Sequence, residues 1–438
     1  MKNIFRSHAQ PEKLLPLFHI RDKNSTTILS FRHMKNAVAV LSLCILFAMS
    51  CTENTRSEAT GIVEKSILAT KNRFAPDKRV ALFDVTAKKE GDAYILKGET
   101  NLPHALKALK AELEQNGITC RDSITLLPLL SADSNGVIRI SVANLRAKPS
   151  HSSELVTQAT LGTPVTILKE KNDWYYIQTP DKYLAWVDKG GLVPKDKAAF
   201  AAWNNSSKII YRAVYGTSYA GPETTASPVS DLVAGSILEY LDETPEYYRV
   251  QYPDQKTAYL KKDDAVPYTD WLQSLYADTT RLVKTAKHLM GLPYLWGGTS
   301  TKGVDCSGFT KTVYYLNGMI LPRDASQQVH TGTLVDDSGD FQKLVPGDLL
   351  FFGVPAKDGK PERIVHVGMW IGDNKFIHSM GDVHISSVDK NSPEFDEYNY
   401  NRYLRTKRIL GKEGLDFKDK EGHITITSKQ DNNYRIKI

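Results

Sequence analysis

Cysteine is scarce in this chain: four residues in 438, at positions 44, 51, 120 and 306. Beyond residue 51 only Cys120 and Cys306 remain, so at most one disulfide is open to the rest of the chain. An apolar run long enough to cross a bilayer is also missing. The run from Ala37 to Met49 is too short, because a spanning helix needs about 20 apolar residues. A charge excess is missing as well, outside the N-terminus. The formal net charge of +6 comes from 56 Lys and Arg against 50 Asp and Glu. The first 51 residues carry seven of the basic residues against Glu12 and Asp22, which leaves 49 basic and 48 acidic. Nucleic-acid binding therefore has no compositional support. What remains, 41% hydrophobic and 24% charged, reads as globular protein with room for three or four domains.

The N-terminus reads as an address. Met34-Lys35 precedes the apolar run, and Ala48-Met49-Ser50-Cys51 resembles a bacterial lipoprotein cleavage site. The resemblance implies a lipidated Cys51 anchoring an exported protein to a membrane of the cell envelope. Residues 1–33 then form an overlong start, with Met34 as initiator. Plain secretion with cleavage nearby is the alternative.

Residues 52–135 read as a polar tether and a small α+β unit. Arg79 to Thr86 and Asp92 to Leu96 are strand-like, and Leu102 to Asn116 is helical, with Gly117 as its stop. Cys120 reads as a partly buried small residue. From 136 to 200 short β-rich runs alternate with turns. Asn144-Leu145-Arg146-Ala147-Lys148-Pro149-Ser150, Gly162-Thr163-Pro164-Val165 and Tyr183-Leu184-Ala185-Trp186-Val187 resemble the bacterial SH3-like barrel. Residues 201–270 repeat the pattern more loosely, so two tandem barrels are expected, with one irregular β domain as the alternative. Residues 271–410 form the last domain. The stretch 411–438 is an extension in which His423 to Thr427 suggests one extra strand.

The chemistry concentrates in Gly303-Val304-Asp305-Cys306-Ser307-Gly308-Phe309. Asp305 is a good N-cap for a helix to about Asn317, ended by Gly318. Cys306 then sits in the first turn, where the helix dipole favours thiolate and free backbone N–H groups can bind an oxyanion. Phe309, Val313 and Leu316 make an apolar stripe in line with it, which turns the thiol toward the interior or a cleft floor. A cysteine nucleophile needs a base, and the base an orienter. A hairpin over Arg363 to Ser379, centred on Gly372, places His366 directly opposite His378 on one face. His378 then accepts from His366 and fixes its tautomer, as the carboxylate does in a Ser-His-Asp triad. Two His and a Cys also suit zinc, but a helix-terminal Cys lacks the paired-ligand spacing, so no metal or organic cofactor is expected.

Tyr294-Leu295-Trp296-Gly297-Gly298, Asp305-Cys306-Ser307-Gly308, Pro346-Gly347-Asp348-Leu349-Leu350-Phe351-Phe352, His366-Val367-Gly368 and His378-Ser379 resemble the NlpC family of bacterial cell-wall peptidases over about residues 278–410. The resemblance implies an α+β, papain-like catalytic domain preceded by two β-barrel SH3-like domains. It implies a cysteine endopeptidase that cuts the γ-D-glutamyl–diamino acid bond of peptidoglycan stem peptides. The upstream barrels narrow it to enzymes that take muropeptides with a free N-terminal L-Ala, for recycling or trimming. On that resemblance Asp324 binds the substrate amine, and Glu154 and Tyr183 from the first barrel close that end of the cleft. Asp305, Ser307, Tyr294, Ser326 and Trp296 are further substrate-binding candidates. The loop from Pro355 to Glu362 lies beside the cleft. Two rival readings stand: a non-catalytic wall-binding lipoprotein, and an amidase or acyltransferase on the same fold. Oligomeric state is not legible.

Overall fold

The computed structural model describes residues 59–129, 134–275, 279–410, 425–426 and 434–435. Cys51, the rest of the segment read as an export address and most of the tail lie outside them. In the tail the short strands Thr425–Ile426 and Tyr434–Arg435 pair antiparallel.

A helix over 59–74 (α1) leads into a three-stranded unit: β1 (Phe83–Glu90), β2 (Ala93–Thr100), α2 (Pro103–Gln115) and β3 (Cys120–Leu126). β1 and β2 form a hairpin, and β3 lies parallel to β2 after the α2 crossover. Ala105, Leu106, Leu109 and Leu113, one face of α2, are buried with Leu96 and Val63. The first strand starts at Phe83 and not, as its composition suggests, at Arg79. The backbone before it bonds elsewhere: Leu184 N donates to Arg79 O at 2.7 Å and Gln178 Nε2 to Val80 O at 3.1 Å. Residues 77–82 thus run along the next sheet.

That sheet comprises Asn135–Ile138, Val142–Arg146, Leu155–Thr160, Pro164–Lys171, Trp174–Gln178, Leu184–Asp188 and Leu192–Lys195 (β4 to β10), ordered β10-β4-β7-β8-β9-β5-β6. After helix α3 (Lys197–Asn205) comes a second set: Lys208–Tyr211, Tyr215–Tyr219, Pro228–Val233, Ile237–Glu243, Tyr247–Gln251, Thr257–Lys261 and Ala265–Pro267 (β11 to β17). Its order, β13-β12-β16-β15-β14-β11-β17, is the first order read from the other edge. The chain therefore builds one topology twice, and each copy buries its own apolar cluster.

The last part opens with α4 (Tyr268–Ser274) and α5 (Thr279–His288), then a small ribbon of β18 (Thr299–Ser300) and β19 (Gly303–Val304). α6 (Cys306–Tyr315) and α7 (Ala325–Gln328) precede six strands, β20 (Thr333–Asp336), β21 (Leu349–Val354), β22 (Arg363–Gly372), β23 (Lys375–Met380), β24 (Asp382–Ser387) and β25 (Tyr403–Arg408), with α8 (Glu397–Tyr400) before the last. The sheet order is β20-β25-β21-β22-β23-β24, and α6 packs on β22 and β23. Leu349, Leu350, Phe351 and Phe352 of the central strand β21 are fully buried, as a strand covered on both faces requires.

The β22–β23 hairpin turns at Asp373-Asn374, both at positive φ (51° and 58°), so the turn is the type I′ that fits strand twist. It is not centred on Gly372. Trp370 opposes Phe376 and Met369 opposes Ile377, with a bulge before Gly372. The register therefore differs by two residues from the expected one, and His366 does not face His378 directly. A shift of two preserves the face of every side chain, so the two imidazoles still meet, on a diagonal.

Candidate active site

Cys306 opens α6. Asp305 caps it in extended backbone conformation, with Oδ1 accepting from Gly308 N at 2.7 Å and Oδ2 from Gly297 N at 3.0 Å. Position 308 has to be glycine: a Cβ there would lie 1.9 Å from the carbonyl oxygen of Gly298. The cap is itself clamped. Arg323, 1% exposed, donates Nη2 to Asp305 Oδ2 at 2.5 Å and Nη1 to Oδ1 at 3.1 Å, and Nη1 also reaches Ser307 Oγ at 3.0 Å. Burial opposes the Arg323 charge, and the Asp305 carboxylate more than offsets it. Arg323→Met strands a buried carboxylate under the cysteine helix. Its expected cost is about 3–5 kcal/mol of stability, read as a lowered urea midpoint, whereas an exposed pair such as Lys88–Glu90 costs at most about 1 kcal/mol.

The Cys306 thiol is 9% exposed. Burial, then the neighbouring Asp305 charge, pushes it up to about 12, against N–H groups of Val367 and Ser307 that favour the anion. The helix dipole favours the anion at this position, and desolvation of the buried sulfur works against it. His366 is also buried, and burial, then the His378 imidazole, holds it well below the usual histidine range. Burial thus pushes both groups toward their neutral forms, thiol and imidazole.

His366 Nε2 and His378 Nδ1 are 2.8 Å apart. Beyond them, His378 Nε2 lies 3.0 Å from Ser386 Oγ and 3.9 Å from Asp396 Oδ2. Two tautomer sets satisfy the chain, and only one leaves His366 a free lone pair: His366 donates Nε2–H to His378, His378 donates Nε2–H toward Ser386, and His366 Nδ1 stays open as a base requires. Burial, then His384, pushes His378 down to about 3, so it acts as a neutral acceptor. Gly368 opposes His378 on this hairpin, and a Cβ there would meet Phe376 Cδ2 at 2.8 Å and His378 Cβ at 3.3 Å. Asp396 and Ser386 escaped the sequence reading, since the strand of one and the α8 cap of the other carry no motif.

Tyr294 is pushed up to about 12 by burial and then by Cys306 and Asp305, so its phenol stays protonated beside the thiol. Asp324 caps α7 in a capping box with Gln327. Its Oδ2 accepts from Tyr183 OH at 3.2 Å, which brings the first seven-stranded sheet to α7. The same oxygen accepts from Arg79 Nη1 at 2.8 Å, and Nη1 reaches Ser326 Oγ at 3.0 Å. Glu154 stands apart from this group. Its Oε1 accepts from Nε1 of Trp296, a side chain 63% exposed. The structure thus brings Tyr183, Ser326 and Asp324 together but leaves Glu154 on Trp296. Arg79 and its partner Asp77 had no signal in the sequence, because the contacts of Arg79 with Asp324 and of Asp77 with Gln327 span 245 and 250 residues.

A thiol on a helix N-terminus with a neutral imidazole chain on the facing sheet defines a cysteine hydrolase of papain-like build. The NlpC/P60 family model matches residues 291–402, and that of the Bacterial SH3 domain matches residues 141–193. A γ-D-glutamyl-L-lysine dipeptidyl-peptidase of Bacillus cereus is 32% identical over 270 residues, 60% of this chain and 77% of that one. One of Bacillus subtilis is 39% identical over 234 residues, 51% of this chain and 71% of that one. The crystal structure of an NlpC/P60 family protein from Bacillus cereus matches 64% of this chain and all of that one, with TM-score 0.54 and 28% identity. The chain belongs to the NlpC/P60 family of cysteine peptidases.

Proposed function

We propose that the protein hydrolyses the γ-D-glutamyl–diamino acid bond of peptidoglycan-derived peptides that carry a free N-terminal L-Ala. The observation that carries this reading is the Asp324 carboxylate. It sits on the segment that follows the Cys306 helix and is held by Tyr183 from the SH3-like sheet. A carboxylate on that segment favours an ammonium over a neutral group, because only the ammonium makes a charge-assisted hydrogen bond to it. The names of the Bacillus relatives, which specify a γ-D-glutamyl bond, point the same way.

In this reading Cys306 is the nucleophile and His366 the base. As Sγ attacks the γ-carbonyl of D-Glu, its proton passes to His366 Nδ1, and the first N–H groups of α6 receive the oxyanion. His378 accepts the Nε2–H bond that strengthens when His366 becomes imidazolium. The imidazolium protonates the departing amine of the diamino acid. Water, deprotonated by His366, then cleaves the thioester and releases L-Ala-γ-D-Glu. Cys51 would hold the enzyme in the envelope, where such peptides are trimmed.

The test is to incubate the full chain and a Cys306→Ala control with L-Ala-γ-D-Glu-meso-diaminopimelate and identify products by mass. Release of diaminopimelate by the first alone supports the reading. An uncut peptide would favour a wall-binding role, and a different cut an amidase.

A pH profile follows from the site. His366 works as the neutral base and its ordinary value is lowered, so kcat/KM holds as pH falls past about 6.5 and declines only below it. On the alkaline side kcat/KM falls through about pH 8, where the substrate α-amine loses its proton. A profile with an acid midpoint above 6.5 contradicts the neutral pair.

A further inference from the structure

The oxygen of Asp324 that accepts from Tyr183 already holds a cation. Arg79 Nη1 lies 2.8 Å from it, between the carboxylate and Ser326. The opposite edge of the same guanidinium is engaged elsewhere. Nε and Nη2 each donate to one oxygen of Asp77 at 2.8 Å, a planar fork on a carboxylate two residues earlier. Asp77 is fixed in turn by Gln327 Nε2 at 2.7 Å, and Arg79 is anchored by its backbone carbonyl on Leu184 N. Burial opposes the charge of Asp77, yet the hydrogen bonds of Arg79 hold its carboxyl below the usual range. The guanidinium thus has a permanent partner in Asp77 and reaches Asp324 with Nη1 alone. Meanwhile no cation among the described residues pairs with Glu154.

We propose that Arg79 is a specificity-determining residue whose Nη1 occupies the amine subsite in place of the substrate's N-terminal ammonium. This rests on the reading of Asp324 as the amine-binding carboxylate. Oδ2 of Asp324 already accepts from both Tyr183 OH and Arg79 Nη1, so an ammonium that takes this oxygen displaces Nη1. The side chain gives up only its bonds to Asp324 and Ser326 and stays forked on Asp77, so no charge is left unpaired. A peptide with a neutral N-terminus meets an Asp324 already satisfied and does not face a bare carboxylate. Arg79 therefore weakens binding of free-amine peptides and narrows the discrimination against blocked ones. The unit upstream of the SH3-like sheets takes part in substrate selection through the 77–79 segment.

The experiment measures KM and kcat of the full chain, Arg79→Met and Arg79→Lys on L-Ala-γ-D-Glu-meso-diaminopimelate and on its N-acetyl form. In Arg79→Met the KM for the free-amine peptide is expected to fall about tenfold, with kcat moving less, and the preference over the acetylated peptide to widen by a similar factor. Arg79→Lys, which keeps a cation, stays nearer the parent. Should the Met variant unfold, Arg79→Gln carries the same comparison. A KM that rises or holds in the neutral variants, while the parent still discriminates, overturns the proposal and makes Arg79 a support for Asp324. A parent that cuts both peptides equally overturns the amine reading itself, and the proposal with it.

Discussion

Cys306→Ala is expected to reduce hydrolysis of the tripeptide to the uncatalysed rate, and His366→Gln to lower kcat by about 10²–10⁴-fold, the range for loss of a general base. Neither loss by itself distinguishes a resting ion pair from a neutral one. Alkylation does. A thiol buried beside Asp305 and pushed up to about 12 exposes little thiolate near neutrality. The rate with iodoacetamide should therefore climb about tenfold per pH unit between roughly pH 7 and 10. A rate that is flat over that range would mean a preformed thiolate. It would also mean that the N–H groups of Val367 and Ser307 overcome the burial. The neutral pair carries a consequence for turnover. In the proposed mechanism proton transfer to His366 accompanies attack on the carbonyl, so the geometry of the His366–His378 contact is expected to bear on kcat.

Blocking the alanine amine is the second large effect. Acetylation removes the charge that Asp324 is proposed to read, and a hydrogen bond to a charged group is worth about 1.5–3 kcal/mol, which is roughly 10–100-fold in kcat/KM. Asp324→Asn should bring the two peptides close to one another by weakening the free one. It keeps a cap for α7, so loss of the helix is not the cause. Equal rates for the free and acetylated peptides in the parent enzyme would remove Asp324 from recognition.

The elements that were legible were those written in local pattern. Asp305, Cys306 and Gly308 announce a capped helix start because cap, thiol and close approach all lie within four residues. The doubled strand pattern of 136–270 was legible for the same reason, since each copy spells its own turns. The hairpin was half legible. Alternation put His366 and His378 on one face, but the turn type, and with it the register, depended on which two residues take positive φ. Asp373-Asn374 do so, and Gly372 precedes them.

The cysteine, the two histidines, their face and the family all followed from the sequence alone. The charge state and the pairing of Asp324 with Arg79 did not. Whether Cys306 rests as thiol depends on how deeply α6 is buried against β22, and burial is a property of the packed whole. Whether Asp324 is bare or already paired depends on Arg79, held in place by strand β9, which the chain builds about a hundred residues later. Local pattern sets what a residue can do. Only tertiary contact decides which distant charges stand beside it, because Coulomb and desolvation energies follow distance in space and not along the chain.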